Sequence, residues 1–491
     1  MAQMTQRFYV GLDVGTQSTK GVLLDTSRSG AAALVARASS SYGMIEGLPS
    51  GAAEQHPHTW RDAVGSVVRE LMASVDASLV AGIGVSGQQH GLVVLDEKDQ
   101  VIRPAKLWCD TTTTDEADAI TRAGRYAVPT GYTLPKLLWM KRNEPENFAR
   151  VRHVLLPHDY VNFLLTGRKF MEAGDASGSG AFDPRTRSYD EAILNFVDPR
   201  ARSFFPELVA ADRAPGRVSR AAADWLGLPE GAVVSPGGGD NMMSAIGSGA
   251  TRAGVTVVSL GTSGTVFAYS ATPVIDPEGL IAGFCDSTGA WMPLLCTMNV
   301  TNVTEEVRSA FGLDHSAITA LAAKVPAGSD GVTLLPYLVG ERVPNLPHAS
   351  GALLGLRMGS FSPGHLFRAA LEGTTLGLAS GVERMKRLGL AVHGLRVVGG
   401  GSKNPLWRQI IADCMNAPVE VLLEPESAAL GAAIQASWVD QRERGEQLSV
   451  DDVAKNYVHL APERTEPQPQ NVAVYRDRLS AFEANTKQLF G

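Results

Sequence analysis

Apolar positions near the start of the chain predict strands first and a helix after them. Residues 10–24, VGLDVGTQSTKGVLL, form two apolar β-branched runs joined by a Gly-Thr turn, which predicts a β-hairpin. A third short strand is predicted over 32–37, and further strands over 79–85, 92–95 and 105–108. Between them, five apolar residues recur at helical spacing. They are Trp60, Val64, Val67, Val68 and Leu71.

The hairpin pattern occurs a second time, half a chain later. Residues 257–269, VVSLGTSGTVFAY, place Gly261-Thr262 where the first copy has Gly15-Thr16, and Ser259 where it has Asp13. Such turns point successive N–H groups and hydroxyls at one spot, which suits a phosphate, and the copy with Asp13 also suits a metal. A generic hairpin is the alternative for either copy alone. The matched pair favours a duplicated nucleotide-binding architecture.

Strands and helices alternate through both halves, which predicts an α/β fold. At 491 residues the chain exceeds the size of a single core, so two domains are expected. We place them at residues 1–249 and 255–491, with a hinge in the small-residue segment 247–254, GSGATRAG. A final amphipathic helix carrying Tyr475, Leu479 and Phe482 is expected to pack against the body.

Composition and charge narrow the class of partner. The net charge of −7 and the lack of a dense Lys/Arg cluster predict no nucleic-acid partner. No apolar run reaches 18 residues, and the first ten residues lack the apolar segment of a signal peptide, so no membrane partner is expected. The four cysteines have no zinc or disulfide spacing. We therefore expect a cytoplasmic protein that acts on a small molecule, with a homodimer as the default assembly.

The segment VVSPGGGDN ends an apolar strand in three glycines and delivers Asp240 and Asn241. Ligands of open α/β sheets bind beyond the carboxyl ends of the strands, so Asp240 is well placed to act as a general base. The alternative is that Asp240 serves only as a helix N-cap.

Two further glycine-rich segments follow strands. GIGVSGQQHG matches the dinucleotide spacing, but a strand rather than a helix follows it, so we interpret Gln89 and His90, together with Gln88, as groups that recognise neutral hydroxyls. A solvated turn is the alternative. GGGSKNP places Gly400 and Gly401 before a predicted N-cap, Asn404, which suits an anion or nucleotide but is also a common connector. His153 and His158 are interpreted as surface or packing residues.

Taken together and in this order, the motifs resemble those of the FGGY carbohydrate kinases. The likeness runs through DVGTQSTK, EQHPHTW, GQQHG, LWCDTTT, PHDYVNFLLTG, GGGDN, SLGTSG, GERVP and GGGSKNPLWRQ, and so covers nearly the whole chain. It implies two actin-like (ribonuclease H-like) ATPase domains with a cleft between them. Within the family the chain is most similar to the xylulokinase subgroup, because Gln89-His90 and Asn241 stand where glycerol kinases carry Arg-Glu and Gln. Gln89 departs from the Met-His pair of some bacterial members.

The resemblance also implies roles for these residues. ATP would phosphorylate the C5 hydroxyl of D-xylulose, with Asp240 as base and with Gln89, His90 and Asn241 orienting the sugar. Asp13 would hold Mg²⁺ through water. Three sets of residues would bind ATP: the first turn and the second turn at its phosphates, and the third glycine loop on the nucleoside side. They are Gly15 and Thr16, Gly261 and Thr262, and Gly400, Gly401 and Asn404. A kinase for ribulose or an alditol, or a non-catalytic actin-like ATP-binding protein, is the alternative.

Overall fold

A computed structural model describes residues 6–124 and 126–491 of the chain. Residues 1–5, half of the segment inspected for a signal peptide, lie outside the described residues. Each half of the chain is built around one mixed β-sheet, with seven strands in the first half and six in the second. Within the described part of the chain, no helix has the length and apolarity needed to cross a bilayer.

The described residues of the first half form fifteen strands and ten α-helices. The strands are β1 (Phe8–Val14), β2 (Ser18–Asp25), β3 (Leu34–Ser41), β4 (Glu54–Gln55), β5 (Val80–Gly87), β6 (Val93–Leu95), β7 (Ala105–Lys106), β8 (His153–Leu155), β9 (Phe170–Glu172), β10 (Phe182–Asp183), β11 (Ser188–Tyr189), β12 (Glu207–Val209), β13 (Gly216–Arg217), β14 (Val233–Val234) and β15 (Gly238–Gly239). The helices are α1 (Pro57–Met72), α2 (Thr114–Ala123), α3 (Thr133–Asn143), α4 (Pro145–Arg150), α5 (Pro157–Thr166), α6 (Ala173–Ala176), α7 (Glu191–Val197), α8 (Ala201–Phe204), α9 (Arg220–Leu226) and α10 (Asp240–Gly247).

The second half contains eight strands and seven α-helices. The strands are β16 (Gly254–Leu260), β17 (Gly264–Ala268), β18 (Ala282–Cys285), β19 (Trp291–Thr297), β20 (Thr333–Leu335), β21 (Ala352–Leu354), β22 (Val392–Val398) and β23 (Val419–Val421). The helices are α11 (Thr301–Ala310), α12 (His315–Ala322), α13 (Pro363–Arg387), α14 (Pro405–Met415), α15 (Ser427–Glu443), α16 (Val450–Ala454) and α17 (Pro469–Phe490). Helix α17 buries Tyr475 and Phe482, as predicted.

The two sheets repeat one topology, which confirms the duplication. In the first sheet β1 pairs with β2 antiparallel and with β5 parallel, and β3 continues from β2. In the second sheet β16 has the same two partners in β17 and β22, and β19 continues from β17. Both predicted hairpins are therefore present, each at the centre of its sheet. The third strand begins two residues later than predicted, because 30–33 form a 3-10 turn.

One long helix of the second half crosses to the sheet of the first. Helix α15 packs on β1 and β5 and against α10. The approach is close enough that only glycine fits: a Cβ on Gly11 would lie 2.0 Å from the carbonyl oxygen of Ala429, and one on Gly431 would lie 1.8 Å from that of Met243. The small-residue pattern of α15 is explained by this packing. The core between the sheets is thus built from both halves of the chain.

The segment between the halves is packed against its surroundings. Ser248, Ala250 and Thr251 are buried, and the hydroxyl of Thr251 donates to Asp451 at 2.7 Å. The hinge predicted at 247–254 stays a prediction. Because α15 returns to the first sheet, any rotation between the halves would also involve residues near the start of that helix.

Candidate active site

The three parallel strands β1, β5 and β15 end at one edge of the first sheet. Their register places Asp13 beside Ser86, and Ser86 beside Gly238, across adjacent strands. Asp240 follows β15 directly, and Gln89 and His90 follow β5. The edge therefore gathers the candidate base, the candidate metal ligand and the candidate sugar-binding residues. The strand-end argument predicted this place for Asp240.

Asp240 is the first residue of α10 and is half-buried. Its Oδ1 accepts hydrogen bonds from the main-chain N–H and the side-chain amide of Asn241, at 2.8 and 3.0 Å. The N-cap alternative is wrong, because Gly239 occupies that position. Burial, and next the negative charge of Asp13, raise the pKa of Asp240 to about 7. A carboxylate with that pKa is a competent general base near neutral pH.

Asp13 lies at the end of β1 with one oxygen engaged. The hydroxyl of Ser86 donates to its Oδ1 at 2.8 Å, while burial raises its pKa. Lys20, its register partner on β2, forms an ion pair of 2.8 Å with Glu426. Two partly desolvated carboxylates whose negative charges repel each other suit a hard divalent cation. Such a cation binds one or two carboxylates plus waters and phosphates. Asp13 and Asp240 fit such an ion.

Asn241 links the sugar-site residues to the second half of the chain. Its amide nitrogen donates to Gln89 Oε1 at 2.9 Å, and its oxygen accepts from the hydroxyl of Thr265 at 3.0 Å. Thr265 belongs to β17, the second strand of the second hairpin. The amide of Gln89 in turn donates to Asp175 at 3.4 Å. These bonds fix the orientation of both amides, so the structure brings Gln89, Asn241 and Asp240 together.

His90 lies in a buried turn, and its ring packs against aromatic side chains from other segments. It is 9% exposed, so the solvated-turn alternative is wrong. Its ring stacks on Tyr132 with centroids 4.6 Å apart, and Phe284 from the second half lies edge-on at 6.2 Å. Burial, with the charges of Lys136 and Arg342, lowers its pKa well below the ordinary value. The neutral imidazole offers one donor and one acceptor, and its Nδ1 has no partner among the described residues.

The first Gly-Thr turn is held by hydrogen bonds within the turn and from neighbouring segments. The N–H of Gly15 donates to Ser18 at 3.0 Å, and the hydroxyl of Thr16 donates to Gln88 at 3.0 Å while accepting from Trp108 Nε1 at 3.0 Å. The side chain of Gln88 therefore supports the turn and does not bind a sugar. The main-chain N–H of Thr16 has no acceptor in the described part of the protein and remains available to a phosphate.

The main-chain N–H groups of the second turn are arranged as in the first. The N–H of Gly261 donates to Ser263 at 3.1 Å, and that of Thr262 has no acceptor among residues 6–124 and 126–491. Thr262 is exposed. Strands β16 and β22 end side by side, since Ser259 pairs with Val398. The third glycine loop therefore lies next to the second turn.

Residues 400–403 of the third glycine loop form a 3-10 turn before α14. Gly400 is exposed, with open space where a Cβ would lie. Gly401 is buried, and a Cβ there would lie 2.8 Å from Leu260. Asn404 accepts from the N–H groups of Leu406 and Trp407 at 3.0 and 3.3 Å, which confirms the predicted N-cap. Gly400 is thus the member of the set left free for a ligand.

Sequence reasoning missed a buried charge cluster behind the candidate sugar-binding residues. His158 contacts Asp175 at 2.7 Å and Asp159 at 3.0 Å, all fully buried. Although burial opposes it, these two carboxylates raise the pKa of His158 to about 9. Interpreting His158 as an ordinary packing residue was therefore wrong, because its ion pairs orient Asp175 towards Gln89. The His-Asp pair two residues after the apolar run 154–156 was the available signal.

Residues 8–247 match the N-terminal domain, and residues 256–439 the C-terminal domain, of the FGGY family of carbohydrate kinases. The chain belongs to the FGGY family of carbohydrate kinases. It is an ATP-dependent sugar kinase with the actin-like ATPase fold of that family, as the motifs predicted.

Among relatives, a xylulose kinase of Haemophilus influenzae is 38% identical over 98% of this chain and 100% of its own length. The crystal structure of a xylulose kinase from Rhodospirillum rubrum superimposes with a TM-score of 0.88 at 30% identity, covering 98% of this chain and 99% of that one. A gluconate kinase from Lactobacillus acidophilus reaches a TM-score of 0.90 at 24% identity over 99% of each chain, which speaks for the fold alone. The FGGY fold therefore leaves the choice of sugar to the side chains of the site.

Proposed function

We propose that this FGGY kinase transfers the γ-phosphoryl group of ATP to the C5 hydroxyl of D-xylulose. The observation that carries the proposal is the placement of a carboxylate with a pKa of about 7, Asp240, beside the hydrogen-bonded pair Gln89 and Asn241. His90 follows Gln89 in the same buried turn. Similarity to xylulose kinases of 30% to 38% identity over most of the chain supports the choice of ketose.

Asp240 accepts the proton of the attacking hydroxyl in this mechanism. Its Oδ1 is held by Asn241, and its Oδ2 accepts no hydrogen bond from the described residues. That oxygen is the one available to the sugar. Asn241 and Gln89 have their amides fixed by Thr265 and Asp175, so they present hydroxyl-binding groups in one orientation. A site with fixed polar groups rejects a sugar that leaves one of them unpaired.

Asp13, with Asp240 near it, would hold Mg²⁺ among the phosphate oxygens. When bound, that ion neutralises charge on the transferred phosphoryl group. The free N–H groups of Thr16 and Thr262 would donate to the β- and γ-phosphates from opposite sheets. Gly400 leaves open space for the nucleoside beside the second turn. Gly401 and Asn404 shape that loop, since one is packed and the other caps α14.

The two phosphate turns belong to different sheets, so binding both substrates is expected to close the cleft and exclude water. We place the domains at 1–249 and 255–491, with motion near 247–254 and near the start of α15. Small-angle scattering with sugar and a non-hydrolysable ATP analogue should show compaction. An unchanged radius of gyration would contradict closure.

The decisive test is a coupled ADP-release assay with Mg²⁺ across ketoses and polyols. D-xylulose should have the highest kcat/KM, and ATP turnover without sugar should be far slower. Preference for ribulose or an alditol would refute the ketose assignment, and sugar-independent turnover would favour a non-catalytic ATP-binding protein. Asp240→Ala should lower kcat by about 10²- to 10⁴-fold while it still binds ATP. Retained turnover in that variant would refute the base assignment.

A further inference from the structure

Lys136 of α3 is a fully buried lysine beside the sugar site that forms no ion pair with the described residues. Its ammonium donates to two main-chain oxygens, those of His90, at 2.7 Å, and of Gly131. Another buried lysine nearby, Lys106, pairs with Asp110 at 3.0 Å. Burying an ammonium without a carboxylate partner is costly, so this arrangement calls for a compensating role.

The oxygen that Lys136 holds belongs to a residue in an unfavourable backbone conformation. His90 has a φ of 65°, which side chains other than Gly seldom adopt. Its carbonyl accepts a second hydrogen bond from the hydroxyl of Thr133 at 3.2 Å. Space for the ring is also reserved, because a Cβ on Gly178 would lie 2.1 Å from His90 Cε1. The surroundings therefore force the turn to present the imidazole in one place.

We propose that Lys136 is a positioning residue for sugar recognition: its buried ammonium holds the carbonyl of His90 and thereby fixes the imidazole against the ketose. This inference rests on the proposed function only in using the sugar that the enzyme accepts. Lys136 touches no reacting atom, so its loss should weaken sugar binding more than phosphoryl transfer. Burial, with the charges of Lys136 and Arg342, lowers the pKa of His90, and the neutral imidazole offers one donor and one acceptor. Burial also lowers the pKa of Lys136 to about 7, and its amino group can donate to the carbonyl of His90 in either protonation state.

The test is a double-mutant cycle of Lys136→Met and His90→Ala. The wild-type substrate panel comes first and selects the sugar, so failure of the xylulose assignment is seen separately from failure of this proposal. Lys136→Met alone should raise the KM for the sugar by about 10- to 100-fold and change kcat much less. The KM for ATP should stay the same. In the His90→Ala background the same substitution should have almost no further effect on the sugar KM, because the residue through which it acts is gone.

Independent, multiplicative effects of the two substitutions on the sugar KM would overturn the proposal, as would equal losses in kcat and in ATP binding. If Lys136→Met does not fold, Thr133→Val removes the other, uncharged donor to the same carbonyl. It should raise the sugar KM by a smaller factor, and that rise should also vanish in the His90→Ala background. A Thr133→Val enzyme with an unchanged sugar KM would then refute the proposal.

Discussion

Because the pKa of Asp240 is raised, replacing this carboxylate with an uncharged side chain should stabilise the folded protein. The group has an ordinary pKa of 3.8 and a folded-state pKa of about 7. Folding therefore favours the protonated form, and the stability contributed by this group is complete below pH 3.8 and is lost as the pH rises through 7. Asp240→Asn keeps Oδ1 as an acceptor for Asn241 and carries no charge, so it should avoid this cost.

The size of the effect follows from the shift of about 3 pH units at about 1.36 kcal/mol each, which sets an upper bound of about 4 kcal/mol at pH 8. Since Asp240 is half-buried, we expect about 2 to 4 kcal/mol. At pH 5, only about one pH unit above the unfolded-state pKa of Asp240, the expected difference in stability is less than half as large.

Differential scanning fluorimetry at pH 8 and pH 5, without nucleotide or metal, measures this difference. At about 2 °C per kcal/mol, Asp240→Asn should raise Tm by about 4 to 8 °C at pH 8 and by less than half of that at pH 5. Asp198→Asn is a control of opposite sign. Although burial opposes it, hydrogen bonds from Arg200 and Lys141 lower the pKa of Asp198 to about 2. That variant should lose stability about equally at both pH values. An Asp240→Asn protein no more stable than wild type at pH 8 would refute the reasoning.

Three further outcomes are expected. With both substrates below their KM, the rate should fall about tenfold per pH unit below pH 7 as Asp240 is protonated, and a flat profile down to pH 5 would contradict this. Gly431→Ala should cost several kcal/mol in urea unfolding because its Cβ meets a carbonyl of α10, whereas Gly377→Ala, in open space on α13, should gain about 0.5 to 1 kcal/mol; equal effects would be inconsistent with the packing. Tyr9→Phe should lower stability by about 1 to 3 kcal/mol in the same measurement, since it removes the 2.6 Å bond to buried Asp440, and a neutral result would show that this bond contributes nothing.

Local patterns predicted the parts of the fold and site that depend on neighbouring residues. Alternation of apolar runs and Gly-Thr turns predicted both central hairpins. The glycines before Asp240 predicted a carboxylate at a strand end, and Asn404 capped its helix as its position after a glycine loop suggested. In each case the signal lies within a few residues, so a single sequence contains it.

What sequence reasoning missed depends on contacts between distant segments. His158 meets Asp175 seventeen residues later, and Lys136 holds a carbonyl 46 residues earlier. The Asp240 N-cap alternative failed for a smaller reason: β15 continues to Gly239, which moved the helix start by one residue. Periodicity reports which face of an element is buried, but it does not report which other segment covers that face.

The crossing of α15 onto the first sheet has a consequence for biosynthesis. During synthesis, the sheet surface around Gly11 and Gly84 stays uncovered until residues 427–443 of α15 have been made. That is well after the last strand of the sheet has been made. At about 5 to 20 residues per second, the interval from residue 247 to residue 443 lasts about 10 to 40 s. Through that time the nascent chain carries an apolar, glycine-lined surface that α15 covers in the folded protein. A chaperone that shields this surface during elongation should raise the yield of folded enzyme, and a chain that stops at residue 249 should aggregate.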